Sequence, residues 1–168
     1  MTLKVSEEQR LQVEQLLGRP PRGLKDVPVL NPQGQPMVIR VASLVDDKPF
    51  PTLFWLVDPD ICYRIDGEEA RGLIARLQDQ INHSPELKAG MARDHERYIA
   101  LRESYIDDQE RQRISELGFS DVFKQKGIGG IADFSRIRCL HTWYGAHLVH
   151  SNTVGQLLDE HWSQLATD

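Results

Sequence analysis

Cysteine is scarce in this chain: Cys62 and Cys139 stand in unrelated local contexts, and neither belongs to a Cys-x-x-Cys pair. That rules out a disulfide framework and the common paired-cysteine zinc patterns. Long apolar runs are also missing. The longest, Leu53 to Val57, falls far short of the roughly 20 residues a membrane helix needs, so no membrane partner is expected. The polar, acidic opening from Met1 to Glu8 lacks the charged, apolar and small-residue regions of a signal peptide, and predicts a reduced, cytoplasmic setting. Positive charge is in deficit, with 20 Lys+Arg against 25 Asp+Glu and a net charge of −5. General nucleic-acid binding, which uses a basic patch or stripe, is therefore not expected.

What is present reads as one domain over residues 1–168, a length that suits a single core. A helix over about 6–17 is predicted by the Ser6/Gln9 capping box and is stopped by Gly18, Pro20 and Pro21. Residues 18–66 read as irregular structure and strands. Met37 to Leu44 and Phe50 to Val57 are candidates for an antiparallel hairpin across the Asp46–Pro49 turn, and Asp58-Pro59 ends the second strand. A third strand is placed at Val27 to Leu30 or at Cys62 to Ile65. From about 67 to 165 the period turns helical. Ala70, Leu73, Ile74, Leu77 and Ile81 form one stripe, a long helix runs from Pro85 to Tyr105 or on to Leu117, and two further helices cover about 138–150 and 156–165. Strands first and helices second give an α+β fold: a small antiparallel sheet or hairpin from the N-terminal half, packed against a mainly helical C-terminal half.

The informative residues are polar side chains at positions the helical period assigns to the core. On the Pro85–Tyr105 helix, His95 and Arg102 share a face with Leu87, Met91, Tyr98 and Tyr105. A buried arginine must be paired or must bind an anion. A pocket that uses Arg102, Tyr98 and His95 is therefore expected, with a structural network as the alternative. The helix over 138–150 carries Cys139, His141, His147 and His150 and has few positions left for an exposed face.

Three chemistries fit that concentration. A metal would need thiolate and imidazole on one side, but the helical wheel sets Cys139 and His141 about 160° apart, so no metal and no cofactor are implied. Cys139 as a nucleophile would need an imidazole within hydrogen-bond reach. Anion binding would use the loop of Gly127, Gly129 and Gly130, with Lys124 and Lys126 before it and Arg136 and Arg138 after it. Glycine loops of this kind offer amides to phosphates, although the spacing matches neither common phosphate-loop pattern.

Four stretches together resemble a known family. They are Leu17 to Gly23, Pro49 to Leu56, His95 with Tyr98 and Arg102, and Arg138 to His141 continuing through Ala146-His147-Leu148 to Asn152–Gly155. In order and combination they resemble the bacterial domain-of-unknown-function family 501, from about Leu17 to Gly155. The resemblance implies a bacterial, cytosolic protein without an assigned activity, and its last stretch contains His147 and Asn152, both candidate site residues. Asp58-Pro59 stands where the family pattern has Cys-Pro, with Cys62 downstream, and Thr153 stands where it often has proline. The first departure counts further against a metal.

The expected function is a binding or regulatory domain with a pocket for a small anionic ligand, phosphate-bearing ligands included. Arg102, Tyr98, Arg138, the glycine loop, His147 and Asn152 would line it, with Arg19 and Arg22 at its rim. The alternative is a hydrolase or transferase with His141 or His95 as general base and Cys139 as a candidate nucleophile. A second alternative is a protein-interaction module with no ligand site, engaging a protein partner through an apolar patch.

Overall fold

A computed structural model describes residues 4–167. Helix α1 (Glu7–Leu17) opens with the reciprocal capping box: Gln9 N–H donates to Ser6 Oγ at 3.1 Å, and Ser6 N–H donates to Gln9 Oε1 at 3.3 Å. It ends at Gly18, whose φ of 70° is the left-handed conformation that closes helices. Strands β1 (Leu24–Leu30), β2 (Pro36–Val41) and β5 (Phe54–Leu56) form an antiparallel sheet in the order β1-β2-β5. Between them, β3 (Leu44–Val45) and β4 (Lys48–Pro49) make a two-residue ladder.

The register pairs Val38 with Leu56, Ile39 with Trp55 and Arg40 with Phe54. Because side chains alternate across a strand, this register divides the sheet's apolar residues between two faces. Ile39, Val41 and Leu24 pack with Val13 of α1, while Val38 and Phe54 join the larger core built with the helices. The sheet is thus covered on both faces. Of the two positions considered for a third strand, Val27–Leu30 is a strand and Cys62–Ile65 is not.

The remainder is helical: α2 (Pro59–Ala70), α3 (Leu73–Asn82), α4 (Pro85–Tyr105), α5 (Asp108–Glu116), α6 (Ser120–Gln125), a 3₁₀ turn (Ile128–Gly130), α7 (Leu140–Val149) and α8 (Thr153–Thr167). The chain is α+β with a mainly helical C-terminal half, as its period predicts. Three details differ. Asp58-Pro59 opens α2: the Asp58 carboxylate accepts from Ile61 N–H at 2.9 Å, and Pro59 takes the first helical position, where its missing N–H costs nothing. The long helix stops at Tyr105 and does not reach Leu117, because Asp107 caps a separate α5. The glycine segment is a short helix followed by the 3₁₀ turn.

Candidate functional site

Met91, His95, Tyr98 and Arg102 are all buried on one stripe of α4, as the period requires. Their polar atoms face protein. The Arg102 guanidinium donates to the carbonyls of Pro51 at 2.7 Å, Phe123 at 2.5 Å and Lys126 at 2.7 Å, with the Tyr98 and Phe123 rings beside it. Leu53 N–H donates to Tyr98 Oη at 2.5 Å. His95 Nδ1 accepts from Ile128 N–H at 3.0 Å, and its ring stacks on Phe134 and meets Trp143 edge-on. Burial alone pushes its pKa down to about 4. The expected convergence of Arg102, His95 and His141 on a pocket is not assembled: the first two tie α4 to the segment before β5 and to the loop after α6.

The glycine loop turns its amides inward. Gly127 N–H donates to Ile131 O, Gly130 N–H to Gly127 O and Ile128 N–H to His95, so these donors are consumed inside the protein. Gly127 is needed for close approach, because a Cβ there would collide with the His95 ring. The anion cradle expected of Gly127, Gly129 and Gly130 is replaced by a packing turn. Arg138 is exposed beyond it.

His147 and Asn152 bind α7 to α8. His147 Nε2 lies 2.7 Å from Asp159 Oδ2 and its Nδ1 accepts from Asn152 N–H at 3.0 Å; Asn152 Nδ2 donates to Trp143 O at 2.9 Å and its Oδ1 accepts from Gly155 N–H at 2.7 Å. Both polar ends of the Asn152 amide are therefore engaged within the fold.

The reactive groups gather elsewhere, where the start of α7 meets the second half of α2. Cys139 is the N-cap of α7, with extended backbone (φ −154°, ψ 128°), so the helical wheel does not govern it. Its Sγ lies 3.6 Å from His141 Nδ1, which is also 3.3 Å from Glu69 Oε1. On the other side of the ring, His141 Nε2 meets Asp66 Oδ1 at 2.9 Å. Leu140 N–H donates to Glu69 Oε1 at 2.9 Å and holds that carboxylate against the cap. The contact with Cys139 raises the His141 pKa to about 9 against the opposing effect of burial, with the charges of Cys139, Glu69 and Asp66 adding to the rise. Burial disfavours the Cys139 thiolate, but hydrogen bonding from His141 and from Thr142 N–H outweighs it, and the thiol pKa is lowered. Cys62 differs: burial, followed by the nearby Asp66 charge, pushes it up to about 11.

One concavity adjoins this cluster, and a second shares Phe50 and Trp55 with it. One, of about 370 Å³, is walled by those rings with Pro51 and Thr52, and reaches His141 and Thr142. The other, of about 360 Å³, lies under the segment after α1, between Arg19, Arg22 and Lys48. The Arg19 guanidinium stands 5.7 Å from the Trp55 ring centroid, and Arg22 pairs with Asp46 at 2.9 Å.

Glu69 and Asp66 are absent from the candidates the sequence offers, although the signal for them is there. Once Asp58-Pro59 is taken as a helix start, Cys62, Asp66 and Glu69 fall at i, i+4 and i+7 on one face.

A small antiparallel sheet covered by helices, with a thiol, an imidazole and carboxylates at a helix cap, defines an α+β protein with a polar reactive cluster beside an aromatic-walled cleft. A family model described as "Protein of unknown function (DUF501)" matches residues 27–160, and the chain belongs to that family. No curated protein and no solved structure matches. No described helix is long and apolar enough to cross a membrane.

Proposed function

We propose that the chain binds a small anionic ligand, phosphate-bearing ligands included, in the concavity between Arg19, Arg22 and Lys48. The observation that carries this reading is the gathering of three cations, against the single carboxylate of Asp46, over the Trp55 and Phe50 rings in a chain of net charge −5. Guanidinium groups recognise phosphate and carboxylate in bidentate fashion, and the aromatic wall offers a face to a planar group. Relative to the sequence expectation the ligand moves outward: Arg19 and Arg22 become its main contacts, while Arg102, Tyr98 and the glycine loop serve the core.

Titration with pyrophosphate and with a nucleoside triphosphate, followed by calorimetry at low and moderate salt, tests this. Binding that weakens with salt and falls at least tenfold in the Arg19→Ala/Arg22→Ala variant is expected. Equal binding by that variant sinks the reading.

A second reading, a hydrolase or transferase, is favoured by the cluster beside the adjoining cleft. It would centre on His141 and Cys139, because His95 is fully enclosed.

A further inference from the structure

We propose that Glu69, Cys139 and His141 hold a single divalent transition-metal ion of the zinc class, with Asp66 as the residue that orients His141. The inference rests on the second reading only for the location of the cluster, and is independent of the anion pocket at Arg19 and Arg22.

Distances between the donors carry it. One sulfur, one imidazole nitrogen and one carboxylate oxygen lie within 4.8 Å of one another, all partly buried. Zinc takes sulfur at about 2.3 Å and nitrogen or oxygen at about 2.0–2.1 Å in tetrahedral geometry, which sets N···S near 3.6 Å and N···O near 3.3 Å. His141 Nδ1 lies 3.6 Å from Cys139 Sγ and 3.3 Å from Glu69 Oε1. Both edges that meet at His141 Nδ1 therefore match a coordination tetrahedron, and the third, from Cys139 Sγ to the Glu69 carboxylate, lies within 4.8 Å.

Proton placement agrees. Asp66 can only accept, so its 2.9 Å contact requires the hydrogen on His141 Nε2. Nδ1 is then the ring atom turned toward Cys139 Sγ and Glu69 Oε1, and it is the atom that would ligate an ion in place of its proton. A carboxylate that fixes the far nitrogen of a ligating histidine is the usual outer partner in zinc sites. The Leu140 N–H bond to Glu69 does the same for the carboxylate ligand.

Charge and softness choose the ion. Glu69, Asp66 and a Cys139 thiolate place negative charge around one imidazole, which favours a dication. Thiolate with imidazole selects zinc-class metals over calcium or magnesium. Three protein ligands leave a fourth position, as in catalytic rather than structural zinc sites. His141 also borders the aromatic cleft, so that position would take a water or a ligand entering there. The helical-wheel objection to a metal lapses because Cys139 is a cap residue.

The test uses full-length, tag-free protein stripped with chelator and titrated with Zn²⁺, and with Co²⁺ as an optical probe. One equivalent is expected to bind, with a thiolate-to-cobalt charge-transfer band in the near ultraviolet. Cys139→Ser should abolish the band, and Glu69→Gln and His141→Ala should each weaken binding at least tenfold. Asp66→Asn should weaken it about 10- to 100-fold while keeping the band, the range seen for outer-shell partners. Cys62→Ser should change neither. Circular dichroism in chelator checks that each variant folds. Where Cys139→Ser does not fold, protection of Cys139 in the wild type from alkylation by bound metal is the substitute readout. Absence of stoichiometric metal, a metal indifferent to Cys139→Ser and Glu69→Gln, unprotected Cys139, or a band lost with Cys62→Ser would each overturn the site. The Arg19→Ala/Arg22→Ala variant should retain full metal binding, so failure of the anion pocket and failure of the metal site are read separately.

Discussion

Burying a guanidinium costs several kcal/mol unless its donors are met, and Arg102 offsets much of that cost through its two terminal nitrogens, which donate to the carbonyls of Pro51, Phe123 and Lys126, while its Nε has no partner. Those carbonyls come from two chain segments outside α4, so the side chain works as a rivet. His95, seven residues earlier, makes the complementary bond by accepting from Ile128 N–H. Only the neutral ring can accept at Nδ1 while burial disfavours the charged form. Its folded pKa of about 4 lies below the unfolded value of about 6.5. A depressed histidine contributes stability that is fully present above the unfolded pKa and is lost as pH falls toward the folded one. The contribution is about 3 kcal/mol, lost progressively between pH about 6.5 and 4. Chemical denaturation across that range should show a steeper acid loss in the wild type than in His95→Gln. Parallel pH profiles would mean that His95 does not carry the acid sensitivity.

At the scale of elements, α2 is the hinge of the site, because it presents both Asp66 and Glu69 to the start of α7. Its first turn depends on Asp58, which is buried and accepts from Ile61 N–H. Asp58→Ala should cost about 1 kcal/mol, the usual worth of an N-cap, read as a lowered urea midpoint with unchanged slope; an unchanged midpoint would deny the cap its role. The same residues explain what could be read in advance. Apolar periodicity marked α3 and α4, each with one buried stripe, and a run of apolar residues marked β5, whose sheet is covered on both faces. Asp58-Pro59 is ambiguous, since the pair that ends a strand also starts a helix, and taking it as an end hid α2 along with Asp66 and Glu69. The Arg102 stripe was legible as buried, but not what it bonds, because its carbonyl partners carry no side-chain signal. Cys139 and His141 were visible as residues and misjudged as a pair. A wheel assumes helical dihedrals at both positions, and the cap has extended ones.

At the scale of the molecule, the cluster joins two elements 71 residues apart in sequence at the Leu140–Glu69 contact. Helix α7 packs against β5 through Gly145, where a Cβ would lie 3.2 Å from the Leu56 backbone nitrogen and so press on the strand. Only Val57 and Asp58 separate the end of β5 from the start of α2. Both halves of the cluster are therefore fixed by one strand, and an ion bound between them would act on global stability. A ligand that binds the folded state alone stabilises it by mass action, by about 2.7 kcal/mol at a free concentration 100 times its Kd. For a chain of 168 residues, that corresponds to a rise in Tm of roughly 5–10 °C. Thermal melts of chelator-stripped protein with and without Zn²⁺ should show this rise in the wild type and in Arg19→Ala/Arg22→Ala, but not in Glu69→Gln. A rise of the same size in Glu69→Gln would place the ion elsewhere on the surface, because loss of a ligand between α2 and α7 must uncouple the metal from their docking.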